Sequence, residues 1–226
     1  MSNVNRTEKA RVIIADDHPI FRAGLVTLLK QVHKVGEVCE AENGVEVLQL
    51  LDKEVFDILL LDIEMPVMNG IETLQELRKR NKRIKVLPLT MFANEKYLLK
   101  MYESGANGYL LKNTNLPELK RAIELLMEDE NYYTPIMATK LFAVLSNMSP
   151  TQKDGETTEL LTEREREILL YICNQYSSTE VAEKLFISEQ TVKRHRQSLI
   201  IKTKSKNTAG LVVFAIKNGL FFAEEN

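Results

Sequence analysis

Ile58-Leu59-Leu60-Leu61-Asp62-Ile63-Glu64-Met65-Pro66 decides how this chain is read, because an unbroken apolar run passes straight into an acid and then into a proline turn. A short continuous apolar segment bounded by turn residues suits a strand buried on both faces, as in a parallel sheet. The same order recurs on either side. Arg11–Ala15 runs into Asp16-Asp17, Val86–Leu89 ends at Thr90, and Leu110-Leu111 ends at Lys112. Four strand-like segments each deliver a polar side chain at the C-terminal end. That edge of an open parallel α/β sheet is where ligands bind.

Between these runs lie segments of helical spacing. Phe21, Leu25, Leu28 and Leu29 share one helix face, and further helical segments are expected over 45–51, 71–77, 95–102 and 116–127. Val35–Ala41 supplies the remaining strand. Asn115 with Glu118 reads as the capping box of the last helix. Five strands alternating with five helices predict a parallel sheet covered on both faces.

The chemistry at the strand ends is specific. A carboxylate accepts a phosphoryl group only where the incoming negative charge is neutralised. Mg²⁺ prefers oxygen ligands and keeps several waters, so one or two carboxylates suffice to hold it. Asp62 is the expected nucleophile, with Asp16 and Asp17 as the acidic pocket. Asp17, Asp62 and the backbone carbonyl of Glu64 are the expected Mg²⁺ ligands. Lys112 offers an ammonium to a phosphate oxygen and Thr90 a hydroxyl.

Bulk properties narrow the class. The chain has 226 residues, room for two domains, and a net charge of only −2, so any surface for nucleic acid must be local. Cys39 and Cys173 lie far apart without metal-ligand spacing, which fits thiols in a reducing cytoplasm. No apolar run is long enough to span a bilayer and no signal-peptide core opens the chain, so a cytoplasmic protein without a membrane partner is expected.

Past Asp129 the alternation stops. Tyr132–Leu145 reads as a linker helix with Pro135 in its first turn, and the polar stretch Ser146–Glu159 as a flexible hinge. The last segment is helical throughout. Thr162/Glu165 and Ser177/Glu180 are capping boxes, Ser188 and Asn207 cap two more helices, and Val181, Ala182, Leu185, Ile187, Val192 and Leu199 supply a small core. Ser188–Lys202 is expected to carry Lys193, Arg194, Arg196 and Gln197 on its exposed face. Between Gln190 and Asn207 there are six Lys or Arg and no acid, a local basic helix in a near-neutral chain.

Residues 11–129 resemble the receiver domain of two-component response regulators, on Asp16-Asp17, Asp62 with Met65-Pro66 and Gly70, Thr90, and Gly108-Tyr109-Leu-Leu-Lys112. The resemblance implies a flavodoxin-like, doubly wound sheet of strand order 2-1-3-4-5. It makes Asp62 the phosphoacceptor, Lys112 the phosphate-sensing ammonium, and Thr90 with Tyr109 a switch pair. Pro88 departs from the pattern by sitting within a strand, where a bulge is expected.

Residues 160–222 resemble the helix-turn-helix output domain of the LuxR/NarL/FixJ class, through Leu161-Thr-Glu-Arg-Glu-Arg-Glu167-Ile168, Glu180–Ser188 and Thr191-Val-Lys-Arg-His195. The resemblance places Lys193, Arg194 and Gln197 at base edges of double-stranded promoter DNA. Thr191, Arg196, Lys202 and Lys204 become contacts to the DNA backbone, and Val192, His195 and Leu199 face the core. Two departures stand out. Thr203-Lys204-Ser205 replaces the usual Leu-Gly-Val, and Gln175 stands where Gly is usual.

The expected organisation is therefore a receiver over 9–130, a partly helical linker over 131–159 and a four-helix DNA-binding domain over 160–223. Its implied partners are a sensor histidine kinase, promoter DNA and a second copy of the chain when phosphorylated. The expected activity is that of a regulator rather than an enzyme, one that assists its own phosphorylation and dephosphorylation. An aspartyl-phosphate phosphatase is the competing reading, but it calls for Asp two positions past the nucleophile, where this chain has Glu64, and for a cap domain. A protein-binding output is the third.

Overall fold

The computed structural model describes residues 9–91, 95–134, 137, 139–141, 143–144, 161–205 and 207–221. The chain divides into two compact units, Met1–Met127 and Glu128–Asn226.

In the first unit, strands and helices alternate: β1 Ala10–Ala15, α1 Pro19–Leu29, β2 Val35–Ala41, α2 Gly44–Lys53, β3 Ile58–Asp62, α3 Gly70–Lys79, β4 Lys85–Thr90, α4 Glu95–Glu103, β5 Leu110–Leu111 and α5 Leu116–Met127. The five strands form one parallel sheet of order β2-β1-β3-β4-β5. That is the flavodoxin-like order expected. β3 is buried along its whole length, as the unbroken apolar run requires of a strand covered on both faces. β5 is only two residues long, shorter than the segment 108–111 read as a strand.

Register carries the functional residues to one edge. Asp62 is level with Leu89, one residue before Thr90, and Thr90 is level with Leu111, one residue before Lys112. Gly70 makes the turn after β3 possible. A Cβ there would lie 2.2 Å from the carbonyl oxygen of Asp62, so the chain passes against the backbone of Asp62 itself.

Pro88 produces no bulge. The β3/β4 register runs without a break from Ile58/Lys85 to Asp62/Leu89. On the other side of β4, Val86 exchanges hydrogen bonds with Asn107, and the Lys112 N–H donates to the Thr90 carbonyl. By alternation Pro88 faces that same side, where regular pairing with β5 begins only at Leu89/Leu110. The missing N–H therefore falls where the sheet asks for no donor.

The second unit contains α6 Glu163–Cys173, α7 Ser178–Leu185, α8 Glu189–Lys202 and α9 Thr208–Lys217. All four begin at the caps expected. Thr162/Glu165 and Ser177/Glu180 form complete capping boxes, Ser188 accepts from the Thr191 N–H and Asn207 from that of Gly210. Val181, Val192 and Leu199 join Ile168, Leu169, Leu211 and Ala215 in its core. In the expected linker helix, Met137, Thr139, Lys140, Leu141, Ala143 and Val144 are helical, whereas Tyr132–Thr134 are not. The expected hinge Ser146–Glu159 lies outside the described residues.

Both sequence departures fall at left-handed backbone. Gln175 has φ 60° and Lys204 φ 53°, so each holds the conformation that Gly would adopt without strain. The helix end survives the substitution because Thr203 Oγ1 donates to the Leu199 carbonyl at 2.8 Å and meets Ser205 Oγ at 2.7 Å.

Candidate functional site

At the C-terminal edge of the sheet, Asp16, Asp62 and Lys112 form a buried charged cluster. The Lys112 ammonium lies 2.7 Å from Asp62 Oδ2 and 2.7 Å from Asp16 Oδ2, with the three side chains 5% exposed or less. Burial opposes the charge on Lys112, yet its contacts to Asp16 and Asp62 overcome this and raise its pKa. Burial pushes the Asp62 carboxyl up, and Lys112 only partly offsets that. One ammonium thus serves two acids. Asp62 Oδ1 has little else, accepting only a long 3.4 Å contact from the Glu64 N–H.

The pocket carries acceptors in excess of donors. Asp16 Oδ2 and Asp17 Oδ1 are buried and make no directed hydrogen bond, although ionic contacts lie close by. Buried polar atoms ordinarily find a partner, and those that do not call for an explanation. Carboxylate oxygens of Asp16, Asp17 and Asp62 lie within 4.8 Å of one another and of an imidazole nitrogen of His18. Such a set fits a divalent cation.

Thr90 is buried beside this cluster, and Tyr109 is 1% exposed. The Tyr109 ring already fills the interior. Its hydroxyl makes no directed hydrogen bond, and burial pushes its pKa up to about 12, with Thr90 pulling the other way. Glu64 is exposed, and its carboxylate accepts a hydrogen bond from the Tyr97 hydroxyl of α4 at 3.1 Å. Phe92, the other residue flanking the site in sequence, lies outside the described residues.

Sequence reasoning missed Arg22. It sits on the buried stripe of α1 with Leu25 and Leu29. Its Nη1 donates to the Asp16 carbonyl at 2.6 Å, while Nε and Nη2 reach Glu40 and Glu42 at 2.9 and 3.0 Å. It ties the end of β1 to the loop after β2 and so positions the acidic pair. The signal was an arginine on an otherwise apolar helix face.

In the second unit, Lys193, Arg194 and Gln197 are exposed on α8, and Val192 and Leu199 are buried. His195 is half-buried. Lys193 pairs with Glu189 one turn earlier. Lys204 is exposed at the left-handed helix end, and Thr191 Oγ1 meets Ser188 Oγ at 2.8 Å.

Arg196 corrects the expected exposed face. It is 7% exposed and ion-paired with Glu130. Burial lowers the guanidinium's pKa and raises that of Glu130, so the pair stands on mutual attraction against its own desolvation. Glu130 also accepts from Ser178 Oγ, and Thr179 Oγ1 donates to Glu128 at 3.1 Å. A residue on the buried side of an amphipathic helix cannot be told from an exposed one by charge alone when its partner comes from a distant segment. Lys202 likewise is engaged, donating to Glu165 Oε2 at 2.7 Å.

Comparison with known proteins agrees with both halves. Residues 12–124 match the response regulator receiver domain, and residues 159–215 match the bacterial regulatory proteins of the luxR family. The chain is 34% identical over 214 residues to the oxygen regulatory protein NreC of Staphylococcus epidermidis, covering 93% of this chain and 98% of that one. It is 31% identical over 224 residues to the transcriptional regulatory protein DegU of Brevibacillus brevis, covering 93% and 94%. The crystal structure of the response regulator ChrA, of a heme-sensing two-component system, superposes with a TM-score of 0.51 at 30% identity, covering 95% of this chain and all of that one.

Proposed function

We propose, because this chain belongs to the response regulators and carries a LuxR-type DNA-binding domain, that phosphorylation of Asp62 controls its binding to promoter DNA. The observation that carries this reading is the buried Asp16–Asp62–Lys112 cluster, in which two carboxylates share one ammonium. Structure alone rarely retains such a set.

A phosphohistidine of a sensor kinase is the proposed donor. Asp62 Oδ1, which has the weaker contacts, forms the new bond to phosphorus as the bond to the histidine nitrogen breaks. Lys112 is held at Asp62 and can pass to a phosphoryl oxygen without leaving the cluster. Asp17, Asp62 and the Glu64 carbonyl are the proposed Mg²⁺ ligands, and bound Mg²⁺ would neutralise charge on the phosphoryl oxygens. Arg22, through the Asp16 carbonyl, fixes the pocket's shape. Thr90, drawn toward the phosphoryl group, would bias the packing of Tyr109, and a local charge event would become a second arrangement of the receiver surface. The chain is proposed to assist transfer to and from its own carboxylate rather than turn over a separate substrate.

For the output, Lys193, Arg194 and Gln197 are proposed to read base edges, with Thr191, Lys204 and Lys202 at phosphates. Arg196 can join them only by leaving Glu130. Two phosphorylated copies, each presenting α8, would read a two-fold operator. The proposed division is receiver 9–130, linker 131–159 and DNA-binding domain 160–223. Cytoplasmic residence accords with this role, and among the described residues no helix is long and apolar enough to cross a membrane.

The direct test is incubation with a small phosphodonor and Mg²⁺. One added phosphoryl group should appear by mass, hydrolyse at alkaline pH and be absent in Asp62→Ala. A label that persists in that variant places the acceptor elsewhere.

A further inference from the structure

From Arg78 to Lys85 the chain reads Arg-Lys-Arg-Asn-Lys-Arg-Ile-Lys, six cations in eight residues without an acid, in a chain of net charge −2. The run covers the end of α3, the loop that follows and the first residue of β4. Lys85 is level with Ile58, and Leu89 with Asp62. At roughly 3.3 Å per residue, the loop therefore lies about 13 Å along the sheet from the acidic edge, at the opposite end of β4. Arg78, Lys82, Arg83, Lys85, Gly105 and Asn107 line a pocket of about 380 Å³ there. That volume falls within the range of small-ligand sites, roughly 300–1,000 Å³.

Arg78 points to what the pocket holds. The residue is half-buried, and its guanidinium donates only to neutral acceptors. Nη1 reaches the carbonyls of Lys82 and Ile84 at 2.9 and 3.2 Å, Nη2 the Gly105 carbonyl at 3.0 Å and Asn107 Oδ1 at 3.3 Å, and Nε the Gly105 carbonyl at 3.4 Å. Among the described residues no carboxylate meets it, and burial lowers its pKa with no opposing charge. Other arginines held away from solvent are neutralised, Arg22 by Glu40 and Glu42, and Arg196 by Glu130. A charge taken out of water ordinarily has a counter-charge. As a staple between the loop before β4 and the turn after α4, Arg78 explains its own hydrogen bonds but leaves its charge unbalanced.

The rest of the lining adds to the excess. Lys82 lies 3.6 Å from Asp52, an acid that also serves Arg80. Arg83 is exposed and pairs with no carboxylate among the described residues. The lining has no aromatic or large apolar side chain, so it can recognise charge but not a ring. Guanidinium and ammonium groups set at several points suit an anion whose charges are spaced along a short chain. We propose that this pocket binds a condensed phosphate chain of the di- or triphosphate class, with Arg83 donating to its oxygens and Arg78, Lys82 and Lys85 balancing its charge. Free polyphosphate and the phosphate tail of a nucleotide share this chemistry. The site is separate from Asp62 and does not depend on its phosphorylation.

The test titrates the full chain, without Mg²⁺, with tripolyphosphate, ATP and adenosine, followed by calorimetry and by amide NMR shifts. Tripolyphosphate should bind one-to-one and move the amides of Gly105 and Asn107, and adenosine should do neither. Arg83→Ala should lose about tenfold or more in affinity, the loss expected when a hydrogen bond to a charged group is removed. Arg78→Gln should lose binding as well. Circular dichroism checks the fold of each variant, and Arg83→Ala, at an exposed position, decides the matter if Arg78→Gln fails to fold. Tighter binding of ATP than of tripolyphosphate makes a nucleotide the source, and equal or weaker binding makes it free polyphosphate. No saturable shift at Gly105 and Asn107, or equal affinity in wild type and Arg83→Ala, overturns the proposal. So does loss of binding in Lys193→Ala/Arg194→Ala, which would place the anion on α8. A non-specific DNA duplex that moves the same two amides at lower concentration than tripolyphosphate also overturns it, in favour of a nucleic-acid backbone.

Discussion

Two buried carboxylates that meet a lysine, Asp62 and Glu165, are held in opposite ways. In the first unit, Lys112 is divided between Asp16 and Asp62, so two buried carboxylates share one ammonium. In the second, Glu165 receives Lys202, Ser198 Oγ, Thr162 Oγ1 and the Thr162 N–H together. Burial raises the Asp62 carboxyl. Burial also opposes charge on Glu165, but its donors prevail and hold it down at about 2. A satisfied cluster joins α6 to α8 and is structural. An acid-rich one is where the proposed cation and phosphoryl group would restore the balance of charge. The second unit leaves its proposed DNA-reading side chains, Lys193, Arg194 and Gln197, exposed on α8.

The largest expected effect separates the exposed charges from the buried ones. Lys193→Ala/Arg194→Ala should weaken specific DNA binding by about 2–6 kcal/mol, leave unfolding within about 0.5 kcal/mol, and flatten the salt dependence of binding. Anisotropy titrations across salt concentrations measure this, and unchanged binding would remove α8 as the reader. Glu130→Gln should move affinity the other way, because it weakens the hold on Arg196.

Next in size is the contrast between the clusters themselves. Glu165→Ala should destabilise the second unit by about 3 kcal/mol, since it strands Lys202 and several donors. Asp62→Asn should change stability by less than about 1 kcal/mol or raise it, because it relieves an acid excess. Urea denaturation of both variants compares them directly, and equal losses would erase the distinction.

Acidity sharpens the same contrast. The folded Glu165 has a depressed pKa, so its contribution is full above the ordinary carboxylate range of about 4.3 and is lost as pH falls toward 2. Asp62 has a raised one, so its ionisation opposes folding and acidification into that range relieves it. The second unit should therefore melt first in acid, which residue-resolved NMR follows.

The smallest effect concerns the strained helix ends. Gln175→Gly should stabilise the second unit by about 0.5–1 kcal/mol, because φ 60° costs glycine little. Thermal melting tests it.

Much of this was legible in the sequence, for reasons that can be named. The apolar run Ile58–Leu61 and its counterparts could only be buried parallel strands, so their final polar residues had to share one edge. The four helix caps of the second unit are local signals and fell where they were read. What escaped was non-local. Whether Arg196 is exposed depends on Glu130, and whether Arg22 is functional depends on Glu40, Glu42 and the Asp16 carbonyl. Pro88 suggested a bulge only because its side of β4 could not be assigned without the register to β5.

The central claim is that charge placed on Asp62 governs DNA binding. It is tested by anisotropy on a duplex selected from a random library, with and without a small phosphodonor and Mg²⁺, for wild type and Asp62→Ala. The account predicts that the phosphodonor tightens wild-type binding about tenfold or more, a coupling near 1.4 kcal/mol, and leaves Asp62→Ala unmoved. The same gain in Asp62→Ala, or none in phosphorylated wild type, would contradict it.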